Sequence, residues 1–147
     1  MVWPLLIYYP MKSPQRRPRL QAFTLVEIMI IVALIALISA LAVPNFLRAR
    51  KRAQATRILD DLRLVDGALD LYATENSKSI GDPATWADLQ PYFKKGTPLA
   101  NSKGLDLLGN AFNGGSFSVD TLPKLNEETF ASLSDVAPSD FWSPFAP

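Results

Sequence analysis

The stretch from Ala22 to Val43, AFTLVEIMIIVALIALISALAV, constrains this chain more than any other. From Phe23 it runs 21 residues, and from Ile28 onward it carries no charge. As a helix rising about 1.5 Å per residue it reaches about 30 Å, the thickness of one hydrocarbon core. It is therefore read as able to span a membrane.

Glu27 stands inside this run, and an ionised acid near a bilayer centre costs on the order of 2.5 to 3.5 kcal/mol. One reading is local. Thr24-Leu25-Val26-Glu27 is a T-x-x-E capping box, in which the acid closes back on the helix start and meets the positive end of the dipole. The other is that the acid has a partner inside the membrane. A lone carboxylate is expensive in a low-dielectric helix bundle and a paired one is tolerable, so Glu27 would penalise any register that leaves it unpaired.

A basic, acid-free leader, then Ala22, then FTLVEIMI, then an apolar run reaching Pro44 closely resembles the N-terminus of type IV prepilins and type II secretion pseudopilins. The resemblance implies that a dedicated membrane peptidase cuts between Ala22 and Phe23 and that the new amine of Phe23 is methylated. Glu27 then becomes the fifth residue of the mature chain. In the family this acid neutralises the N-terminal amine of a neighbouring subunit during filament assembly, and a proline at the position of Pro44 lets the helix unwind within the filament. The family usually has Gly before the cut, where this chain has Ala22.

Residues 1–22 contain Lys12, Arg16, Arg17 and Arg19 and no acid, the composition of a cytoplasmic leader. MKSPQRRPRLQA, beginning at Met11, is a compact basic leader, whereas the ten residues before it are apolar, so translation is expected to start at Met11. Orientation does not follow from charge alone, because Arg48, Arg50, Lys51 and Arg52 flank the other end of the span. The resemblance implies a cytoplasmic leader and an exported C-terminal part. The run at 48–52 is read as a juxtamembrane cluster facing anionic lipid headgroups.

Without the four leader bases, 11 bases face 14 acids, a side-chain charge of −3; beyond Arg52 the balance is 7 against 13, or −6. So acidic a head lacks the basic face that nucleic-acid binding needs. The chain has no Cys and no His, which excludes disulfides and thiolate metal sites and removes the commonest general base. No nucleophile–base–orienter set can be named, so no enzyme is expected.

From Ala53 to Glu75 there is no Pro and one Gly, and Ile58, Leu62, Val65, Leu69 and Tyr72 recur at spacings of four and three. That is the apolar stripe of a helix. Asp60, Asp61, Arg63, Asp66 and Asp70 fall largely on its other face, with Arg57 and Asp61 at pairing distance. Asp66 and Asp70 read as a solvated face rather than as a catalytic or metal pair. One helix from about Thr24 to Glu75 is predicted, with Pro44 kinking or melting it locally. Further on, Asp82 and Pro83 are placed at the start of a short helix that carries Trp86 and Leu89 inward and ends at Pro91.

Asp106-Leu107-Leu108-Gly109-Asn110-Ala111-Phe112 resembles the D-P-W-G-N-P-Y signature that opens the C-terminal sheet of the major pseudopilin. Asp106, Gly109 and Asn110 are retained, and Leu107 and Ala111 depart from it. Asn113-Gly114-Gly115 is predicted to join Ala111-Phe112 to Ser116–Val119 as a hairpin. Some family members bind calcium in the loops that follow. Near Asp120 the oxygen ligands are scattered without D-x-D-x-D spacing, so no metal or other cofactor is expected, and Asp120 and Asp135 read as turn and cap residues. The tail, with Phe141, Trp142 and Phe145, either wraps back over the sheet or forms a subunit interface.

The expectation is an α+β, pilin-like chain: a long N-terminal helix, membrane-spanning in its first half and amphipathic in its second, on a small antiparallel sheet. The division is 1–22 leader, 23–52 span and basic flank, 53–147 exported head. The resemblance implies a filament subunit of the bacterial inner membrane whose partners are the lipid bilayer, the prepilin peptidase, the assembly platform and other subunits. The shorter head, the lack of paired cysteines and the Asp-x-x-Gly-Asn run favour pseudopilin over adhesive pilin. The rival reading takes Ala40-Leu41-Ala42 as an A-x-A site, cleaved after Ala42 to release a soluble periplasmic binding domain. Pro44, the four bases after that bond, and Glu27 inside the core are awkward for it.

Overall fold

A computed structural model describes residues 23 to 147, and the leader with Ala22 and Met11 lies outside the described residues. The chain divides into two units, Met1–Ile38 and Ser39–Pro147. The described part of the first is helix from Leu25 onward, with its large apolar side chains turned to the surroundings.

This helix, α1, is Leu25–Glu75. Pro44 lies inside it without interrupting it, so of the expected kink or local melting the helix does not melt. A proline removes one backbone donor and leaves the flanking turns intact, and here the Asn45 side chain donates to the Leu41 carbonyl at 3.1 Å beside the gap. In the second unit the stripe from Ile58 to Tyr72 is buried as predicted, and Ala55, Leu59 and Ala68 widen it.

The stripe belongs to one hydrophobic core with Leu89, Phe93, Leu99, Phe112, Phe117, Leu125, Leu133, Trp142 and Phe145. These come from short elements. They are β1 (Pro83–Ala84), α2 (Trp86–Leu89), a 3-10 turn (Gln90–Tyr92), α3 (Pro98–Asn101), a second 3-10 turn (Phe112–Gly115), β2 (Phe117–Ser118), α4 (Glu127–Leu133) and α5 (Ser139–Trp142). Trp86 stacks on Phe93 at 5.0 Å between ring centres, and Phe112 and Phe117 lie within 6.3 Å. The fold is therefore α+β, a long helix and a small two-stranded antiparallel sheet sharing one core.

The sheet is not built as predicted. Ala84 pairs with Phe117 and Pro83 with Ser118, antiparallel. The ladder continues one step further, with the Val119 N–H donating to the Asp82 carbonyl at 2.9 Å and the Gly81 N–H to Val119 at 3.0 Å. Ala111 bridges to Leu105 instead of to the strand after the turn. Asn113 and Gly114 do take the left-handed turn conformation, at φ 50° and 63°. The flanks nevertheless separate, because Lys124 takes up Asn113: its carbonyl accepts the Asn113 N–H at 2.9 Å, and its own N–H donates to Asn113 Oδ1 at 3.1 Å.

The first short helix is also displaced. Its N-cap is Thr85, and Pro83 is in β1. The Thr85 N–H and hydroxyl both donate to Asp88 Oδ2, at 2.9 and 2.6 Å, a stronger helix start than Asp82 offers. Asp82 instead accepts from the Ser79 N–H within the preceding turn. The tail resolves in favour of the core. Trp142 is fully buried with its Nε1 donating to the Ala137 carbonyl at 3.0 Å, and the Leu125 N–H bonds to Phe145 at 2.9 Å.

Candidate functional site

The expected assembly residues lie at the start of α1. Thr24 precedes the first helical residue, Leu25, and accepts the Glu27 N–H through its carbonyl at 3.1 Å and its hydroxyl at 3.2 Å. Only half of the capping box is thereby made. Among the described residues nothing hydrogen-bonds to the Glu27 carboxylate or pairs with it as an ion. Thr24 caps the helix, and the acid is left over.

Around it, every large apolar side chain from Phe23 to Leu47 is between 44% and 75% exposed. In water such a surface would be a severe liability, and α1 is long and apolar enough to cross a membrane. Phe23 lies two residues before the first helical residue and Glu27 in the first turn of α1; Ala22 is outside the described residues, and Pro44 is 17 positions beyond Glu27.

Of the bases after Pro44, Lys51 is held by the head. Its Nζ contacts both oxygens of Asp135 at 3.0 and 3.1 Å and the Ser132 carbonyl at 3.4 Å. Asp135 is therefore an ion-pair partner rather than a cap, which no local signal 84 positions away revealed. On the amphipathic half, Arg63 pairs with Asp60 at 3.1 Å. Arg57 acts on Asp61 only as a nearby charge: burial raises the Asp61 pKa, with Arg57 opposing it and Asp60 adding to it. Burial also raises that of Asp66, reinforced by Asp70.

The Asp-x-x-Gly-Asn run is a closed polar knot. Asp106, only 8% exposed, accepts the N–H groups of Leu108 and Asn110 on one oxygen, both at 2.9 Å, and the Thr129 hydroxyl on the other. Asn110 Nδ2 donates to the same hydroxyl at 2.8 Å, and Gly109 supplies a φ of +93° that other residues rarely adopt. Every oxygen of Asp106 is thus engaged in shaping the loop. Among the described residues no three His, Cys, Asp or Glu side chains converge to hold a metal ion, and Asp120 occupies an exposed turn at φ 62°.

Residues 17–43 match the family model of the prokaryotic N-terminal methylation motif. The chain is similar to the type II secretion system core protein G of Klebsiella pneumoniae, 35% identical over 60 residues, which are 41% of this chain and 43% of that one. It is also similar to the protein of that name from Pseudomonas aeruginosa, 34% identical over 83 residues, 56% of each, and from Dickeya chrysanthemi, 31% identical over 83 residues, 56% and 51%. The chain spans about half the length of the curated relatives it matches. No solved structure matches it. Over the start of α1, then, the chain carries the prokaryotic N-terminal methylation motif, and over about half its length it is similar to type II secretion system core protein G, a pseudopilin.

Proposed function

We propose that this chain is a structural subunit of a type II secretion pseudopilus or a closely related type IV pilus-like filament. It acts by assembly rather than by turnover. In this reading a prepilin peptidase cuts between Ala22 and Phe23, Phe23 is methylated, and the subunit waits in the inner membrane with its N-terminus cytoplasmic and residues 53–147 exported. An assembly platform then packs the apolar helices of successive copies and related subunits side by side.

The observation that carries the reading is the Glu27 carboxylate, which has no partner among the described residues and which the cap made by Thr24 does not use. In a dry bundle an ionised carboxylate is tolerable when another chain supplies a cation, and a cleaved N-terminus at Phe23 is a cation four positions away on each neighbour. Pro44, which lacks the N–H that the Ala40 carbonyl would receive, marks where α1 yields most readily when helices are drawn into a filament.

Intact mass and N-terminal sequencing of the membrane-extracted protein test this reading. The expected chain begins at Phe23 with one added methyl group. A chain beginning at Val43 would replace the filament subunit by a secreted domain.

A further inference from the structure

The basic run after the apolar span is not used by the assembly step. Because α1 continues through it, Arg48, Arg50, Lys51 and Arg52 sit on formed helix. At about 100° per residue, Arg52, Arg50 and Lys51 lie about 40°, 200° and 300° round the axis from Arg48. Arg48 and Arg52 thus share one side of the helix and Arg50 lies on the opposite side, so the bases do not mark a single face.

Among the described residues, only Lys51 of the four has a carboxylate partner, Asp135. Arg48, Arg50 and Arg52 are exposed, and no carboxylate of the described residues pairs with them. Residues 1–22 contain no Asp or Glu that could do so. Three guanidinium groups are therefore without a carboxylate partner just where the continuous run of exposed apolar side chains from Phe23 ends, at Leu47.

A protein partner docks on one side of a helix, whereas free arginines on two opposite sides fit a ligand that surrounds it. Directly beyond a membrane span that ligand is the headgroup layer. Guanidinium forks match phosphate oxygens with paired hydrogen bonds, and arginine stems lie along the apolar boundary while their heads stay wet.

We propose that Arg48, Arg50 and Arg52 form a collar that binds the phosphates of anionic phospholipids, and that Asp135 withdraws Lys51 from it. The collar rests on the reading of α1 as a membrane span and not on filament assembly. It would hold the membrane-resident subunit at a set depth and resist its withdrawal from the bilayer.

The test uses the full chain in phosphatidylcholine bilayers carrying trace spin-labelled phosphatidylglycerol or phosphatidylcholine, with the motionally restricted fraction of each label read by electron spin resonance. The preference for the anionic label is expected to fall at least about twofold in R48Q/R50Q/R52Q and to be nearly unchanged in K51Q. Raising the salt should shrink the parent's preference toward that of the triple variant. Circular dichroism checks that glutamine, a good helix former, leaves α1 intact. An unchanged preference in the triple variant overturns the collar. A loss in K51Q alone overturns the withdrawal of Lys51. Absence of restricted lipid of either kind overturns the membrane span itself, and the collar with it.

Discussion

The hydroxyl of Thr129, fully buried on α4, donates to the carboxylate of Asp106, 23 positions earlier. This bond ties the turn at 106–110 to the helix that carries the C-terminal part of the core. Thr129→Val keeps the volume and removes the donor to Asp106 and the acceptor for Asn110. A charged acceptor and a buried amide are then short of partners, so a loss of about 2 kcal/mol is expected. Thermal unfolding of the detergent-solubilised chain, followed by near-ultraviolet circular dichroism, reads it.

Gly104 presents a second dependence on shape. Its φ is +84°, and a Cβ there would stand 3.3 Å from the Trp86 ring, which Phe93 already backs at 5.0 Å. Gly104→Ala is expected to cost more than about 1 kcal/mol from backbone strain and the displaced ring. A shifted tryptophan emission maximum together with a lower Tm is the expected result.

Asp66 and Asp88 should respond to pH with opposite signs. Burial raises the Asp66 pKa, so the folded state gains stability as pH falls through that raised pKa, and the gain is complete below the unfolded value near 3.8. Asp66→Asn should then stabilise the head at pH 7, by less than about 1 kcal/mol because the site is only partly buried, and this advantage should vanish below about pH 4. The Thr85 hydroxyl and N–H hold the Asp88 pKa down. Its contribution is full above the unfolded value and is lost as pH falls through the lowered one, so Asp88→Asn should lower the Tm at pH 7 and matter least in acid. Melting curves of both variants across pH 3 to 7 check the two signs.

Glu27→Leu separates capping from assembly. Thr24 still accepts the N–H of residue 27, so the variant is expected to insert and be cleaved at Phe23 like the parent. Filament yield should be lost, since nothing then compensates a neighbour's amine, and Glu27→Asp should be intermediate. Immunoblots of membrane and sheared-fibre fractions read the two steps separately. Full fibre yield from Glu27→Leu would reduce Glu27 to part of the helix start.

Local chemistry determined what the sequence alone could determine. An uninterrupted apolar run from Ile28 to Val43 has one structural outcome in lipid, and the period from Ile58 to Tyr72 defines one buried face whatever covers it. The turn propensity of Asn113-Gly114 and of Asp106-Leu107-Leu108-Gly109-Asn110 was legible for the same reason, because it resides in neighbouring residues. Partners distant along the chain were decided only by the tertiary structure. Phe117 pairs with Ala84, 33 positions earlier, because the aromatic cluster around Trp86 claims its side chain, and Asn113 turns to Lys124. Thr129 and Asp135 read as ordinary polar residues until folding brings the first beside Asp106 and the second beside Lys51. With strands of two residues each, the head has little local preference to set its pairing, and burial of one shared core chooses among the alternatives.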